Sequence, residues 1–233
     1  FCYYVVNKSE KYKRTQFFPC VKERCMTMEL TKLILEQQKL AKKVVREDLA
    51  TDIKTVAGVD VTYTGKKIIC AIVVMDYDTL RVREGKVRDD IARFPYIPGF
   101  LAYREAHIII DTYHDLEIDP DILVVDGHGL LHPRQFGLAS SVGLSLDKPS
   151  IGVAKSLLCG GKEGEHIILD RKKVGVMLST KAGAKPIYVS PGNGITLKSA
   201  AAIARKLLTE HKLPEPLHEA HKLAAKHRNR IKR

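Results

Sequence analysis

The run ILVVDGHG at 122–129 is the tightest constraint on how this chain folds. Four consecutive apolar residues cannot alternate between a core and solvent. Residues 122–125 therefore read as a short strand buried on both faces, the pattern of a parallel sheet covered by helices. A second run of this kind, SIGVA at 150–154, follows a predicted helix over 134–146. Upstream, residues 56–64, 67–76 and 80–88 read as three strands joined by turns at Thr64 and Gly65 and in DYDT at 76–79, which predicts an antiparallel meander.

Around these strands lie helical patterns. In 26–45, Leu30, Leu33, Ile34, Leu40, Val44 and Val45 recur at three- and four-residue spacing, with Thr27 or Thr31 as a candidate cap. Residues 98–116 read as a helix opened by Pro98, and 196–211 and 214–232 as alanine-rich helices. Strand-like runs at 166–169 and 173–178 precede another at 186–190. The order predicts an α/β fold: a mixed sheet of three antiparallel strands followed by parallel strands, flanked by helices.

The 233 residues suit one domain, expected to span 26–233. Residues 1–25 mix aromatic clusters with Lys and Arg, show no sustained period, and read as a basic extension. No apolar run approaches the roughly 18–20 residues that span a bilayer, and the opening FCYYVV lacks the flanks of a signal peptide. The five cysteines include no C-x-x-C or zinc-finger spacing, so free thiols in a reducing cytoplasmic setting are expected. The net charge of +12 gathers at the ends, with six Lys/Arg against two Glu in 1–25 and seven against two in 212–233. Such a balance suits a polyanionic partner bound through its phosphates. Solubility alone accounts for the charge equally well.

Three carboxylates stand out. Asp60 interrupts the apolar strand AGVDVTY, where an ionised group is unfavourable without a cation or a hydrogen-bond network. The alternative is an aspartate turned to solvent by strand alternation. Asp126 closes ILVV, at the strand end where α/β folds place ligands, unless it merely begins a turn. Glu105 sits in a predicted helix and by itself reads as a surface residue. If the first and fourth strands are neighbours, the three converge into an oxygen-only set suited to Mg²⁺. Lys155 follows the strand SIGVA, either as an ordinary surface lysine or as a cation placed to offset phosphate charge. His218 and His221 share a face of the last helix, as metal or water ligands or as surface residues. In PYIPG, Pro95 and Pro98 bracket Tyr96 and Ile97. The stiff loop either aims an aromatic ring at a nucleic-acid stack or plugs a core.

Taken together, GVDVTY at 58–63, PYIPGFLAYRE at 95–105, VDGHGLLHPRQFGLAS at 125–140, IGVAKSLL at 151–158 and YVSPGN at 188–193 resemble the signatures of the endonuclease V family. The resemblance runs in order from about Met26 to the last helix. It implies an RNase H-like fold, Mg²⁺ with Mn²⁺ substituting, and action on deoxyinosine in DNA or inosine in RNA. It also implies cleavage of the second phosphodiester 3′ of the lesion, leaving 3′-hydroxyl and 5′-phosphate ends, in DNA repair. Matched by motif, Asp60, Glu105 and Asp126 would hold metal. Lys155 would lie near the scissile phosphate and His221 would complete the catalytic set. Pro95, Tyr96, Ile97 and Pro98 would form a strand-separating wedge. Gly99, Gly127, Gly129 and Leu158 would surround the flipped base. Ser141 and Asn193 stand where family members commonly carry histidine, which bears on phosphate contacts, metal preference or the choice between DNA and RNA. The remaining alternatives are an inosine-specific ribonuclease and a non-catalytic nucleic-acid-binding module of the same fold. A monomer is expected.

Overall fold

In the computed structural model, which describes residues 21–181 and 183–232, the strand with the most continuous apolar sequence is also the most deeply buried. β2 (Lys67–Asp76) is covered on both faces from Ile68 to Met75. It lies between β1 (Thr55–Thr64) and β3 (Val82–Ile91), antiparallel to both, as the meander pattern predicts. β4 (Ile122–Asp126) and β5 (Ser150–Ala154) add in parallel on the other side of β1. β9 (Ile187–Pro191), β8 (Lys172–Leu178), β7 (His166–Leu169) and β6 (Gly161–Glu163) continue antiparallel. The sheet order among the described residues is β3-β2-β1-β4-β5-β9-β8-β7-β6.

Helices cover both faces. On one side α4 (Leu197–Lys206) and α5 (Glu215–Ile231) close a core with Val73, Val124, Ile151 and Val189. On the other, α2 (Leu101–Tyr113) and α3 (Leu138–Leu146) close one with Val59, Ile72, Leu123 and Val125. This is the expected mixed sheet flanked by helices. α5 lies unusually close to β1. A Cβ on Gly58 would meet the Pro216 carbonyl oxygen at 2.0 Å, so only glycine admits the helix there. Ala220 and Ala224 are the buried small residues that follow along α5.

Several boundaries differ from the sequence expectation for local reasons. α1 (Val21–Ala41) begins ahead of residue 26, so Thr27 and Thr31 fall inside it rather than at its cap. Residues 1–20 of the expected extension lie outside the described residues. The chain divides into two compact units, 1–35 and 36–233. α2 starts at Leu101 because Gly99 has φ +81°, a left-handed backbone that no helix accommodates. Gln135 (φ +51°) likewise delays α3 to Leu138. β6, exposed and polar, carries no hydrophobic pattern and was not expected. Cys70 and Cys159 are free thiols. Among the described residues no helix is long and apolar enough to cross a membrane.

Candidate active site

The parallel pairing of β1 with β4 ends at Val59 opposite Val125, so Asp60 and Asp126 occupy the next step of the same ladder. Their carboxyl groups are close enough for each to bear on the other's ionisation. Asp60 is 3% exposed, on the face of β1 covered by α5, and meets His221 Nδ1 at 3.0 Å. Asp126 accepts a 2.5 Å bond from Lys155 Nζ, which comes from the end of β5. Glu105 approaches from α2, on the opposite side of the sheet, and is only 5% exposed. Its Oε1 accepts a 2.5 Å bond from the Tyr63 hydroxyl, and Arg104 Nε donates to that hydroxyl at 3.0 Å. The five residues singled out as catalytic are thus brought together. His218 is not among them: it stacks on His211 with ring centroids 3.6 Å apart.

Charge in this cluster is poorly balanced. Burial, followed by the nearby Asp126 carboxylate, pushes the Asp60 pKa well above the usual carboxylate range, against the opposing pull of His221 and Lys155. Burial likewise raises Glu105 to about 7. The Tyr63 hydrogen bond opposes that rise, and the charges of Asp126 and Asp60 add to it. Burial draws the Lys155 ammonium down, but Asp126 and Asp60 outweigh it and hold Lys155 above its ordinary value. Neighbouring acids that resist ionising are the setting in which a cation is most welcome, and an all-oxygen donor set fits a hard divalent ion. Among the described residues no three acids, histidines or cysteines already close on one point as ligands. In the present rotamers Asp126 is turned to Lys155 and Glu105 to Tyr63.

Beside the acids opens a cavity of about 290 Å³. Asp126 and Lys155 line it together with Tyr96, Ile97, Pro98, Gly99, Gly127 and Leu158. Pro95 and Gly129 are not in its wall. Gly129 instead packs against β9, donating its N–H to Ser190 Oγ at 2.9 Å. Tyr96 projects, 70% exposed.

What anchors this loop has no local signature in the sequence. The Gly99 carbonyl accepts bonds from Gln37 Nε2 (3.1 Å), His132 Nε2 (3.0 Å) and Arg134 (2.6 Å). Arg134 also binds Gln37 Oε1 at 2.5 Å and lies 4.6 Å over the Phe100 ring. His132 Nδ1 accepts the Arg134 backbone N–H at 3.2 Å, so the neutral ring uses both nitrogens. HPR lies within a motif already noted, but nothing in its spacing points at Gly99.

Asn193 and Ser141, the two departures, lie elsewhere. Asn193 is buried, accepting Val45 N–H at 3.0 Å and joined through its own N–H to Ser150 Oγ at 2.9 Å. Ser141 belongs to the first turn of α3.

Asp60 within β1, Asp126 and Lys155 at the carboxyl ends of β4 and β5, and Glu105 from α2 gather beside a cavity, an arrangement of the kind hydrolases of phosphodiesters use. The endonuclease V family profile matches residues 38–222. The endonuclease V of Dictyoglomus thermophilum is 42% identical over 193 residues, 79% of this chain and 85% of that protein. The crystal structure of the Bacillus subtilis endonuclease V is 32% identical with a TM-score of 0.79, covering 87% of this chain and 93% of that one. A Ciona intestinalis endonuclease V, carrying D234N and solved with DNA containing an inosine followed by a ribo-adenosine, is 25% identical. Its TM-score is 0.78, covering 88% of this chain and 98% of that one. This chain belongs to the endonuclease V family and is a nuclease, of a family that needs a divalent metal.

Proposed function

We propose that the chain cuts a DNA strand at the second phosphodiester 3′ of a deoxyinosine, or of inosine in RNA, as a cytoplasmic repair enzyme using Mg²⁺ with Mn²⁺ substituting. The observation carrying this reading is that Asp126 and Lys155 line the same cavity as Tyr96, Gly99 and Gly127, so a base held there brings its strand to the acids. The PYIPG loop, stiffened by two prolines, presents Tyr96 to fill the gap left by an extruded base. Gly127 brings the backbone near the edge of the base.

Asp60, Asp126 and Glu105 would hold the divalent ion, which lowers the pKa of a nearby water and stabilises the leaving oxygen. Lys155, on the rim with Asp126, offsets the charge of the scissile phosphate. His221, fixed through Nδ1 to Asp60, would use its other ring nitrogen to orient the attacking water. Water oxygen bonds to phosphorus as the P–O3′ bond breaks, and O3′ departs protonated, giving 3′-hydroxyl and 5′-phosphate ends. The test uses end-labelled strands with one deoxyinosine or one inosine, undamaged strands as controls, and added Mg²⁺ or Mn²⁺. One nick, one nucleotide past the lesion, is expected. Tight binding without a nick in either metal would replace this reading with a binding module.

A further inference from the structure

β1 outruns β4. Its pairing with β4 stops at Val59, while the strand continues to Thr64 with β2 as its only partner among the described residues, leaving a ledge above the acids. Thr62 lies on that ledge two residues past Asp60, on the same face and about 6–7 Å farther along. α5 runs beside it with matching phase. His221 meets Asp60, and Arg228, two helical turns later, meets Thr62: its guanidinium lies 3.4 Å from Thr62 Oγ1.

Arg228 stands apart from the cations near it. Lys67 and His227 share Asp89, Arg88 pairs with Asp115, and Lys155 with Asp126. Among the described residues Arg228 has no carboxylate within 4.0 Å, and its Nε is buried with no hydrogen-bond partner. A half-buried guanidinium left this way is unfavourable unless an anion completes it. The forked guanidinium suits a phosphate, taken by two parallel N–H donors.

We infer that Arg228, with the Thr62 hydroxyl, is a binding site for a backbone phosphodiester of the substrate strand adjacent to the one that is cut. The inference rests on the proposed nuclease reading, because it needs the scissile phosphate at Asp60 and Asp126. Arg228 also lies beyond the stretch that matches the family profile, which ends at residue 222. One step along β1 from Asp60 to Thr62 is about the reach of one nucleotide in an extended strand. The ledge therefore sets which linkage stands at the acids, and Arg228 acts as a positioning residue.

The test measures binding of inosine-containing strands in an Asp126→Asn background, so that no strand is cut, across a range of salt. Arg228→Ala should weaken binding and make the log–log salt dependence shallower by about one. Arg228→Lys, which retains the charge, should keep the slope. A set of strands, each with one neutral methylphosphonate linkage, then locates the contact. The Arg228-intact protein should lose affinity at several linkages. Arg228→Ala should be indifferent to one of them, beside the cut, and sensitive at the rest. Should the alanine variant melt early, Arg228→Gln, which keeps the packed stem, makes the same comparison. An unchanged salt slope, or sensitivity equal to that of the intact protein at every linkage, overturns the inference. Failure of the wild type to nick inosine strands sinks the functional reading instead, while the salt slope still reports on Arg228.

Discussion

Gly99 and Asp126 line one cavity, and the surroundings of the Gly99 carbonyl and of the Asp60–Asp126 pair are built on opposite terms. At Gly99 three donors converge on one oxygen, and His132 uses both ring nitrogens in its neutral form. That wall is complete before any ligand arrives. At Asp60 and Asp126 two neighbouring carboxyls raise each other's cost of ionising, with Lys155 and His221 giving only partial relief. On the proposed reading this is a division of labour: the first set of groups holds the wall that would shape a base, and the second, short of positive charge, would draw in metal and phosphate.

The contrast breaks most visibly at Asp126. Asp126→Asn should reduce nicking on the order of a hundredfold or more, yet raise the melting temperature measured without divalent metal, because one member of a repelling set is gone. A lower melting temperature would show the acids to be structural. Chelation should likewise abolish wild-type nicking, and it should lower the melting temperature relative to protein saturated with divalent ion, because a bound cation stabilises the folded state.

On the rigid wall the order reverses, with stability falling first. Gly99→Ala places a methyl on a left-handed backbone and 2.9 Å from the Arg134 guanidinium. A loss of about 1–3 kcal/mol in denaturant unfolding is expected, with inosine binding weakened alongside. His132→Phe should cost about 1–3 kcal/mol by leaving buried polar groups without their partner.

A pH series sharpens the same point. Burial first, then the Arg134 charge, depresses the His132 pKa to about 4, against an ordinary value near 6.5. Between those values the unfolded chain binds the extra proton. His132's contribution is therefore whole above pH 6.5 and is lost as pH falls toward 4. The melting temperature of His132→Phe should fall less steeply than the wild type's over that window; parallel curves would remove His132 from the account. The smallest stability effect belongs to Tyr96→Ala. At an exposed tip it should alter stability by less than about 0.5 kcal/mol while weakening inosine duplex more than single strand. Equal loss on both substrates would return Tyr96 to a structural role.

Much of this was written in local pattern. The period-two and all-apolar runs place β1, β2, β4 and β5 to within a residue, because burial on one or both faces leaves a direct mark on sequence. Asp60, a charge inside an apolar strand, and Asp126, a charge closing one, are legible for the same reason. Glu105 is not: a lone helical glutamate reads as surface until α2 is seen to turn it inward. Gln37, His132 and Arg134 meet Gly99 across sequence gaps of 62, 33 and 35 residues, a convergence that no local period encodes. β6 was missed because an exposed, polar edge strand has no core to imprint on it. Asn193 looked like a change near the chemistry and instead ties the segment after α1 to β5.

The missing side chain of Gly58 has a mechanical consequence. Because the Pro216 carbonyl rests where a methyl would stand, the start of α5 pivots on bare backbone. His221 and Arg228 ride on one rigid rod beyond that pivot. Any thickening at Gly58 swings both outward together, the farther residue through the longer arc. The chain thus carries an alignment screw one residue-pair away from Asp60, able to detune the placement of a strand without touching an acid, a metal or a base.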